Sequence, residues 1–195
     1  MAMPRIERSS LMTLEAYALE RPQFRAKVMT HKKNRTVSLG DHMTLVFEDE
    51  LTIRYQVQEM LRVERIFEGQ GIEDELAAYN PLIPDGRNLK ATMMLEFPDP
   101  DERRQWLAEL IGVEDKVWIE VAGHERVWAV ADEDLERENE QKTSSVHFLR
   151  FELTDDMAHA LKKGAGLAIG VDHPRYIARV ETPPAVRDSL TRDLA

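Results

Sequence analysis

The stretch from Glu50 to Phe97 constrains the fold more than any other part of the chain, because it combines a strong helical pattern with strong chain breakers. Its first half carries apolar residues at helical spacing on one stripe: Ile53, Val57, Met60, Leu61 and Phe67. Gly69 and Gly71 follow this stripe, and glycine commonly ends a helix. We therefore predict one amphipathic helix that ends at the two glycines.

The second half of this stretch predicts a return of the chain into a strand. Ile72–Tyr79 has the pattern of a short helix, which Asn80-Pro81 ends because the residue before a proline avoids the helical region. Pro84-Asp85-Gly86 is a turn sequence, in which proline presets φ and glycine accepts a positive φ. Leu89–Phe97 then leaves the turn as a predicted strand.

The rest of the chain alternates between short strands and helices. The other predicted strands are Thr36–Leu39, Met43–Phe47, Lys116–Val121, Arg126–Val130, Ser144–Leu153, Leu167–Val171 and Tyr176–Val180. The other predicted helices are Leu11–Leu19, a segment from Pro22 to Asn34, Asp101–Ile111, Asp132–Glu140, Asp155–Lys162 and a terminal helix after Pro183-Pro184. Short connections favour antiparallel pairing. We expect a single α+β domain over residues 1–195, with a mainly antiparallel sheet of about eight strands and about six helices, and with residues 183–195 as a C-terminal helical tail.

Composition excludes several kinds of protein. The chain has 195 residues, of which 43% are hydrophobic and 32% charged, as in ordinary globular proteins. It has no cysteine, so it forms no disulfide and supplies no thiolate to an iron–sulfur cluster. Neither a long apolar run nor a signal-peptide pattern is present, and we expect a cytoplasmic protein that does not enter the membrane.

The charge is acidic overall but unevenly distributed. The formal net charge is -10, which argues against general nucleic-acid binding because phosphates would be repelled. Arg21–Gly40 nevertheless contains only basic charges, and Ala131–Glu140 contains six acids against one arginine. Each segment is either a solvated face or a patch for a partner of opposite charge.

The most distinctive candidate binding residues lie on the helix after Glu50. Three of them recur every four residues on one face, a fourth lies close to that line, and a lysine of the next strand can join them: Arg54, Gln58, Arg62, Arg65 and Lys90. Arginine forks suit carboxylates and phosphates. The alternative is that glutamates of the same helix neutralise the arginines as helix pairs.

The histidines give weaker indications. His147 shares a strand face with Leu149 and Phe151, where a hydrogen-bonded core histidine is typical, although we also include His147 among the candidate ligand-binding residues. Only Asp155 or Asp156 with His159 has the spacing of metal ligands on a helix, and the same acids suit a first helical turn. We predict no metal site, and the chain has no nucleophile-elbow or phosphate-loop motif.

Several linked motifs resemble one bacterial family catalogued as a domain of unknown function. The resemblance covers Leu11 to Val180 and rests on RYQVQEMLRVERIFE, AYNPLIPDGRNLKATMMLEFPD, VWAVADEDLER, KTSSVHFLRFEL and LAIGVDHPRY. Genes of that family often neighbour those of rubrerythrin-like and iron–sulfur oxidoreductase-like proteins. The resemblance therefore implies a role in redox or oxidative-stress metabolism and a redox protein as partner.

Two functions from different classes follow as hypotheses. The first is an accessory protein that binds a redox partner through the basic or the acidic segment. The second is an enzyme or small-molecule binder with an arginine-lined anion site in a cleft between helix and sheet. The stripe of Val186, Leu190 and Leu194 in the tail predicts docking, either onto the body of the chain or onto a sister subunit in a homodimer.

Overall fold

The computed structural model describes residues 5–195, and in that range it contains six α-helices and nine β-strands. The helices are α1 (Leu14–Lys32), α2 (Glu50–Val63), α3 (Gly69–Tyr79), α4 (Pro100–Glu109), α5 (Asp155–Lys162) and α6 (Pro184–Thr191). The strands are β1 (Thr36–Leu39), β2 (Met43–Phe47), β3 (Asn88–Leu95), β4 (Val117–Val121), β5 (Arg126–Trp128), β6 (Val130–Ala131), β7 (Val146–Glu152), β8 (Leu167–His173) and β9 (Tyr176–Glu181). The predicted α+β class is confirmed, with one strand more than expected.

The strands form two antiparallel sheets rather than one. A five-stranded sheet has the order β1-β2-β3-β7-β6, and a four-stranded sheet has the order β5-β4-β8-β9. Alternate residues of both sheets, such as Leu45, Phe151 and Ile169, are fully buried in one continuous apolar core. The alternation of buried and accessible residues along β2 and β7 is the pattern expected of strands with one face on a core.

Helices α1, α2 and α3 form a smaller apolar cluster beside the larger sheet. Ile53, Val57 and Leu61 of α2 pack there against Leu76 of α3. Helix α2 begins with a capping box, in which the Asp49 side chain accepts from the Thr52 backbone and Thr52 in turn binds the Asp49 backbone. The apolar stripe predicted for this helix thus faces other helices.

Helix α1 is continuous, which corrects the prediction of two separate helices. Pro22 lies inside it, although proline removes one helical hydrogen bond. Tyr17 and Val28, on either side of the proline, are both fully buried. Burial of both halves against α2 keeps the chain helical through Pro22.

Helix α2 ends six residues before the glycines that were expected to end it. Arg65 takes a positive φ of 55° just after Val63, and Gly69 and Gly71 lie in the first turn of α3. Phe67, predicted to lie on the apolar stripe, is 71% exposed. The left-handed conformation that commonly ends a helix is supplied here by an arginine.

The predicted helix over Asp132–Glu140 is wrong, because these residues form a loop. The Asp132 carboxylate accepts a hydrogen bond from the Phe148 backbone at 2.9 Å, and Arg137 binds the Asp134 carboxylate. These contacts satisfy the acidic side chains outside a helix, so tertiary structure overrides local propensity.

The C-terminal tail docks onto the body of its own chain. Val186, Leu190 and Leu194 are buried in the main core. Asp193 forms an ion pair at 2.5 Å with Arg35, which is itself buried. Formation of a homodimer stays a prediction.

Within residues 5–195, no helix combines the length and the apolar character needed to cross a membrane.

The close approach of Trp118 to Gly170 gives a stability prediction. The two residues are cross-strand partners on β4 and β8, and a Cβ at position 170 would lie 2.5 Å from Trp118 Cε2. Gly170→Ala should therefore lower the free energy of unfolding by about 1–3 kcal/mol, measured by urea denaturation, because the indole is fully buried and cannot move aside.

Gly166→Ala is the matched control for this prediction. Its added Cβ would meet its nearest neighbour, the Ala122 Cβ, at 3.8 Å, an ordinary contact. Equal urea midpoints for the two variants would contradict the proposed clash.

Glu59 connects α1 to α2 through three side chains. It accepts hydrogen bonds from the Tyr17 hydroxyl at 2.7 Å and from Arg21 Nε at 2.6 Å, and Arg62 Nη2 lies 3.7 Å away. The Arg21 hydrogen bond, followed by that of Tyr17, outweighs partial burial and lowers the pKa of Glu59 to about 2.

We predict a pH-dependent loss of stability from this depressed pKa. The unfolded carboxyl titrates near 4.5, so its contribution is present above that pH and is lost as the pH falls towards 2. Glu59→Gln should cost about 1.5–3 kcal/mol at pH 7 and much less at pH 2.5, in urea titrations at both pH values. Glu64→Gln, at the exposed end of α2, is the control and should have little effect at either pH. A pH-independent cost for Glu59→Gln would contradict the assignment.

Candidate functional site

The principal cavity is a cleft between helices α2 and α3 and the outer face of the larger sheet. Its volume is about 520 Å³, within the range of small-molecule sites. Strands β3 and β7 form the floor, α3 and the turn after it form one wall, and residues 133–137 form the other.

The cleft is apolar over most of its surface and carries charges at a few points. Its apolar lining includes Met60, Ala77, Ala78, Leu82 and Phe148. Its basic groups are Lys90, Arg137 and Arg150, and its acidic groups are Glu48, Glu75, Glu133 and Asp134. A largely apolar pocket that also carries polar groups is the arrangement typical of ligand sites.

Lys90 projects from β3 into this cleft. Its ammonium group donates to the carbonyls of Pro81 at 2.6 Å and Ile83 at 3.0 Å, which leaves its third N–H without a partner in the chain that the structure describes. Burial lowers the pKa of Lys90. An anion placed beside it would oppose this shift, because an opposite charge favours the ammonium form.

The two arginines of the cleft are fixed by acidic neighbours. Arg150 makes a bidentate pair with Glu133, with both N···O distances at 2.9 Å, and it also binds Glu152. The Arg137 guanidinium lies 4.6 Å from the centre of the Phe148 ring and binds Asp134. Both guanidinium groups are therefore held in place at the wall of the cleft.

Glu48 and Glu75, the acids on the helical side of the cleft, have surroundings different from those of the acids that pair with the arginines. Glu48 accepts hydrogen bonds from the hydroxyls of Thr92 at 2.7 Å and Thr52 at 2.5 Å. Burial, reinforced by the charges of Glu64 and Asp74, raises the pKa of Glu75. The lining thus contains two groups, Lys90 and Glu75, whose pKa values shift against the charged form, which is common at functional sites.

The structure does not gather the predicted binding residues at one place. Lys90 lines the cleft, whereas Gln58 is buried and exchanges hydrogen bonds with the Met12 backbone at 2.8 and 3.4 Å. Arg54 binds Glu50 and the Ser10 carbonyl, and Arg62 lies beside Glu59.

Arg65 lies past the end of α2 and is exposed. The helix arginines thus have acidic partners or face solvent, while Arg137 and Arg150 line the cleft instead. Anion binding by the helix arginines stays a prediction.

His147 lies apart from the other predicted residues, at the centre of a buried polar cluster. Its Nδ1 is 2.5 Å from Asp132 Oδ2 and 3.8 Å from Glu114 Oε1. Its Nε2 is 3.0 Å from the Ser144 carbonyl and 2.9 Å from the Thr143 hydroxyl. One atom each from Glu114, Asp132 and His147 lies within 4.8 Å of the other two, the arrangement of a potential metal site.

Sequence reasoning missed this cluster because its members come from three distant segments. Glu114 follows Gly112 in a short 3-10 turn, Asp132 follows β6 with a φ of 49°, and His147 lies on β7. Burial is the main cause that raises the pKa of Glu114 to about 6. Among residues 5–195, Asp155 and His159 form no such cluster with a third ligand.

Comparison with protein families identifies the family of this chain. The family described as "Protein of unknown function (DUF3501)" matches residues 5–194. A crystal structure described as a novel protein of unknown function from Burkholderia pseudomallei K96243 is 54% identical and superposes with a TM-score of 0.94, over 98% of this chain and 100% of that one. No curated protein matches the sequence. Because the family match spans nearly the whole chain, this protein belongs to the DUF3501 family.

Proposed function

We propose that the protein binds a small molecule that has an apolar body and one anionic end in the cleft between α2–α3 and the larger sheet. The observation that carries this proposal is the cleft itself, a mostly apolar space of about 520 Å³ with the Lys90 ammonium in its floor. The sequence hypothesis also placed an anion site in a helix–sheet cleft and included Lys90 among its candidate residues, whereas Arg137 and Arg150 were not among them.

The charge distribution favours a single anionic group. The hydrogen bonds of Lys90 go to carbonyls rather than to carboxylates, so a carboxylate or phosphate of the ligand could accept a hydrogen bond from its remaining N–H. Glu133 and Asp134 already pair with the cleft arginines. Glu48 and Glu75 on the helical side would repel a second anionic group, so the rest of the ligand is expected to be apolar.

A series of straight-chain carboxylates from butanoate to dodecanoate tests this proposal by isothermal titration calorimetry. Affinity should rise with chain length as apolar surface is buried, by about 0.8 kcal/mol for each buried methylene. The matched alcohols should bind more weakly by about 1.5–3 kcal/mol, since they lack the charge that meets Lys90. Amines of equal length should bind more weakly still.

Four variants locate the site. Ala78→Trp should fill the cleft and abolish binding, whereas Ala18→Trp on the exposed face of α1 should leave it unchanged. The Lys90→Met variant should bind carboxylates and alcohols of equal length with similar affinity. If Arg62→Ala weakens carboxylate binding and Ala78→Trp does not, the anion site lies on the helix arginines and the cleft proposal is wrong.

A second proposal is the accessory role with a redox partner. It is supported by the resemblance described above and by two exposed segments of opposite charge. Arg25, Lys27 and Lys33 are exposed on and just after α1, and Glu136 and Glu140 are exposed in the loop after β6. Such patches suit weak, electrostatically guided encounters.

Fluorescence anisotropy with a purified rubrerythrin-like protein from the same host tests this role. Binding should weaken as ionic strength rises, because exposed charges are screened. Reversal of Lys27 and Lys33 to glutamate should weaken binding if the basic segment docks, and reversal of Glu136 and Glu140 to lysine should do so if the acidic loop docks. Binding that neither double variant changes, or no binding at low salt, would reject the docking proposal.

A further inference from the structure

We propose that Glu114, Asp132 and His147 bind one divalent first-row transition-metal ion, at a site separate from the cleft. The three side chains converge from a turn, a loop and a strand, and their nearest ligand atoms lie within 4.8 Å of one another. The His147 side chain is fully buried, and the two carboxylate side chains are 6% and 9% exposed.

The arrangement around the imidazole calls for a cation beside Nδ1. The Ser144 carbonyl, 3.0 Å from Nε2, can only accept a hydrogen bond, so Nε2 carries a proton. Nδ1 then faces two carboxylates, at 2.5 Å and 3.8 Å. Its lone pair would repel both unless a proton or a metal ion lies between them.

A metal ion neutralises this cluster better than a single proton. Arg137 lies 3.2 Å from Asp132 Oδ1 but is shared with Asp134, and the ion pair of Glu114 within residues 5–195 is with His147, 3.8 Å away. A proton on Nδ1 therefore supplies one positive charge between two carboxylates, whereas a divalent ion supplies two. Around one tetrahedral ion, bond lengths of about 2.1 Å place neighbouring ligand atoms roughly 3.4 Å apart. Nδ1 and Asp132 Oδ2, now 2.5 Å apart, would therefore separate by about 0.9 Å to admit it.

Hydrogen bonds to residues outside the cluster already orient Glu114, Asp132 and His147. Asp132 Oδ1 accepts from the Phe148 backbone N–H at 2.9 Å and from Arg137 Nη1 at 3.2 Å, which leaves Oδ2 directed at His147. The Thr143 hydroxyl lies 2.9 Å from His147 Nε2 and 3.4 Å from Glu114 Oε2. Metal-binding histidines characteristically donate their other ring N–H to a carbonyl, as His147 does to Ser144.

An ion can reach the cluster from solvent. A second cavity of about 380 Å³ borders Glu114 and Asp132 and is otherwise walled by Asp115 and residues 131–138. Its lining is strongly acidic, which raises the local concentration of cations. With three protein ligands, water would complete the coordination, as at catalytic rather than structural metal sites.

The ligand set indicates the class of metal. Imidazole and carboxylate together suit Mn²⁺, Fe²⁺ or Zn²⁺, while the absence of sulfur ligands disfavours Cu⁺. Ca²⁺ and Mg²⁺ prefer sites made of oxygen alone, so the histidine discriminates against them.

Calorimetric titration of the full chain, stripped with EDTA and dialysed, tests the proposal with Zn²⁺ and Co²⁺. One ion should bind per chain, and Co²⁺ should give visible d–d bands. Asp132→Asn and His147→Gln should weaken binding by about 100-fold or more, at least as much as the loss of an outer contact to a metal ligand. His159→Gln on the exposed face of α5, beside Asp155 and Asp156, is the matched control and should bind as the parent does.

A second measurement uses the unaltered protein, so that a variant that fails to fold cannot decide the result. Nitrogen-correlated NMR of the His147 ring should show Nε2 protonated throughout and should show the Nδ1 signal shift when one equivalent of Zn²⁺ is added. If the ring still gives the spectrum of a doubly protonated imidazolium at saturating Zn²⁺, the cation beside Nδ1 is a proton and the metal-site proposal is wrong. Equal affinities for the parent and Asp132→Asn would overturn it as well.

Discussion

The antiparallel pairing of β3 with β7 is the interaction on which both candidate sites depend. In its register Lys90 lies opposite Arg150 and Thr92 opposite Phe148 on the outer face, where the cleft forms. Because strand side chains alternate, a slip of one residue would exchange the two faces. The apolar core residues opposite one another on the inner face, such as Leu89 and Phe151, fix this register by their burial.

The same register places two like charges opposite each other, which costs stability in a sheet. The chain offsets this cost in two different ways. Arg150 pairs with Glu133 and Glu152, whereas Lys90 donates its hydrogen bonds to the carbonyls of Pro81 and Ile83 after α3. Lys90 therefore keeps one N–H without a partner among the described residues, beside the apolar surface of the cleft, and this N–H is the basis of the proposed anion site.

Local patterns in the sequence predicted much of the fold and little of the site. The helix Asp155–Lys162 begins after the Thr154 cap and occupies the predicted residues, and the hairpin of β1 and β2 has the predicted bounds. These elements depend on capping, turn residues and periodicity, which neighbouring residues encode. The strands themselves could be predicted, but their division into two sheets depends on pairings between distant segments.

The site depends on the same kind of distant contact. Lys90 could be predicted to face the helices because it alternates with buried residues of β3. The partners of His147 could not be predicted from the sequence, because Glu114 and Asp132 lie 33 and 15 residues away with no motif that links them. Likewise, the acidic pairing of Arg62 was an open alternative in the sequence, and the structure provides it through Glu59.

The loop after β6 shows why an acidic run of good helix formers is not a helix here. Asp132 must reach His147 while its neighbour Glu133 must reach Arg150, which lies on the outer face of the sheet. A helix turns successive side chains by only about 100°, so two neighbouring residues that point to opposite sides of the sheet do not fit a helix.

The Phe148 carbonyl accepts from the Asp132 N–H at 2.8 Å and continues the sheet pairing by one residue, and the positive φ of Asp132 then turns the chain away. The strain of that conformation is compensated by the hydrogen bonds to the Asp132 carboxylate. Asp132 therefore belongs to the His147 cluster and Glu133 to the cleft, so two neighbouring residues of the chain contribute to different candidate sites.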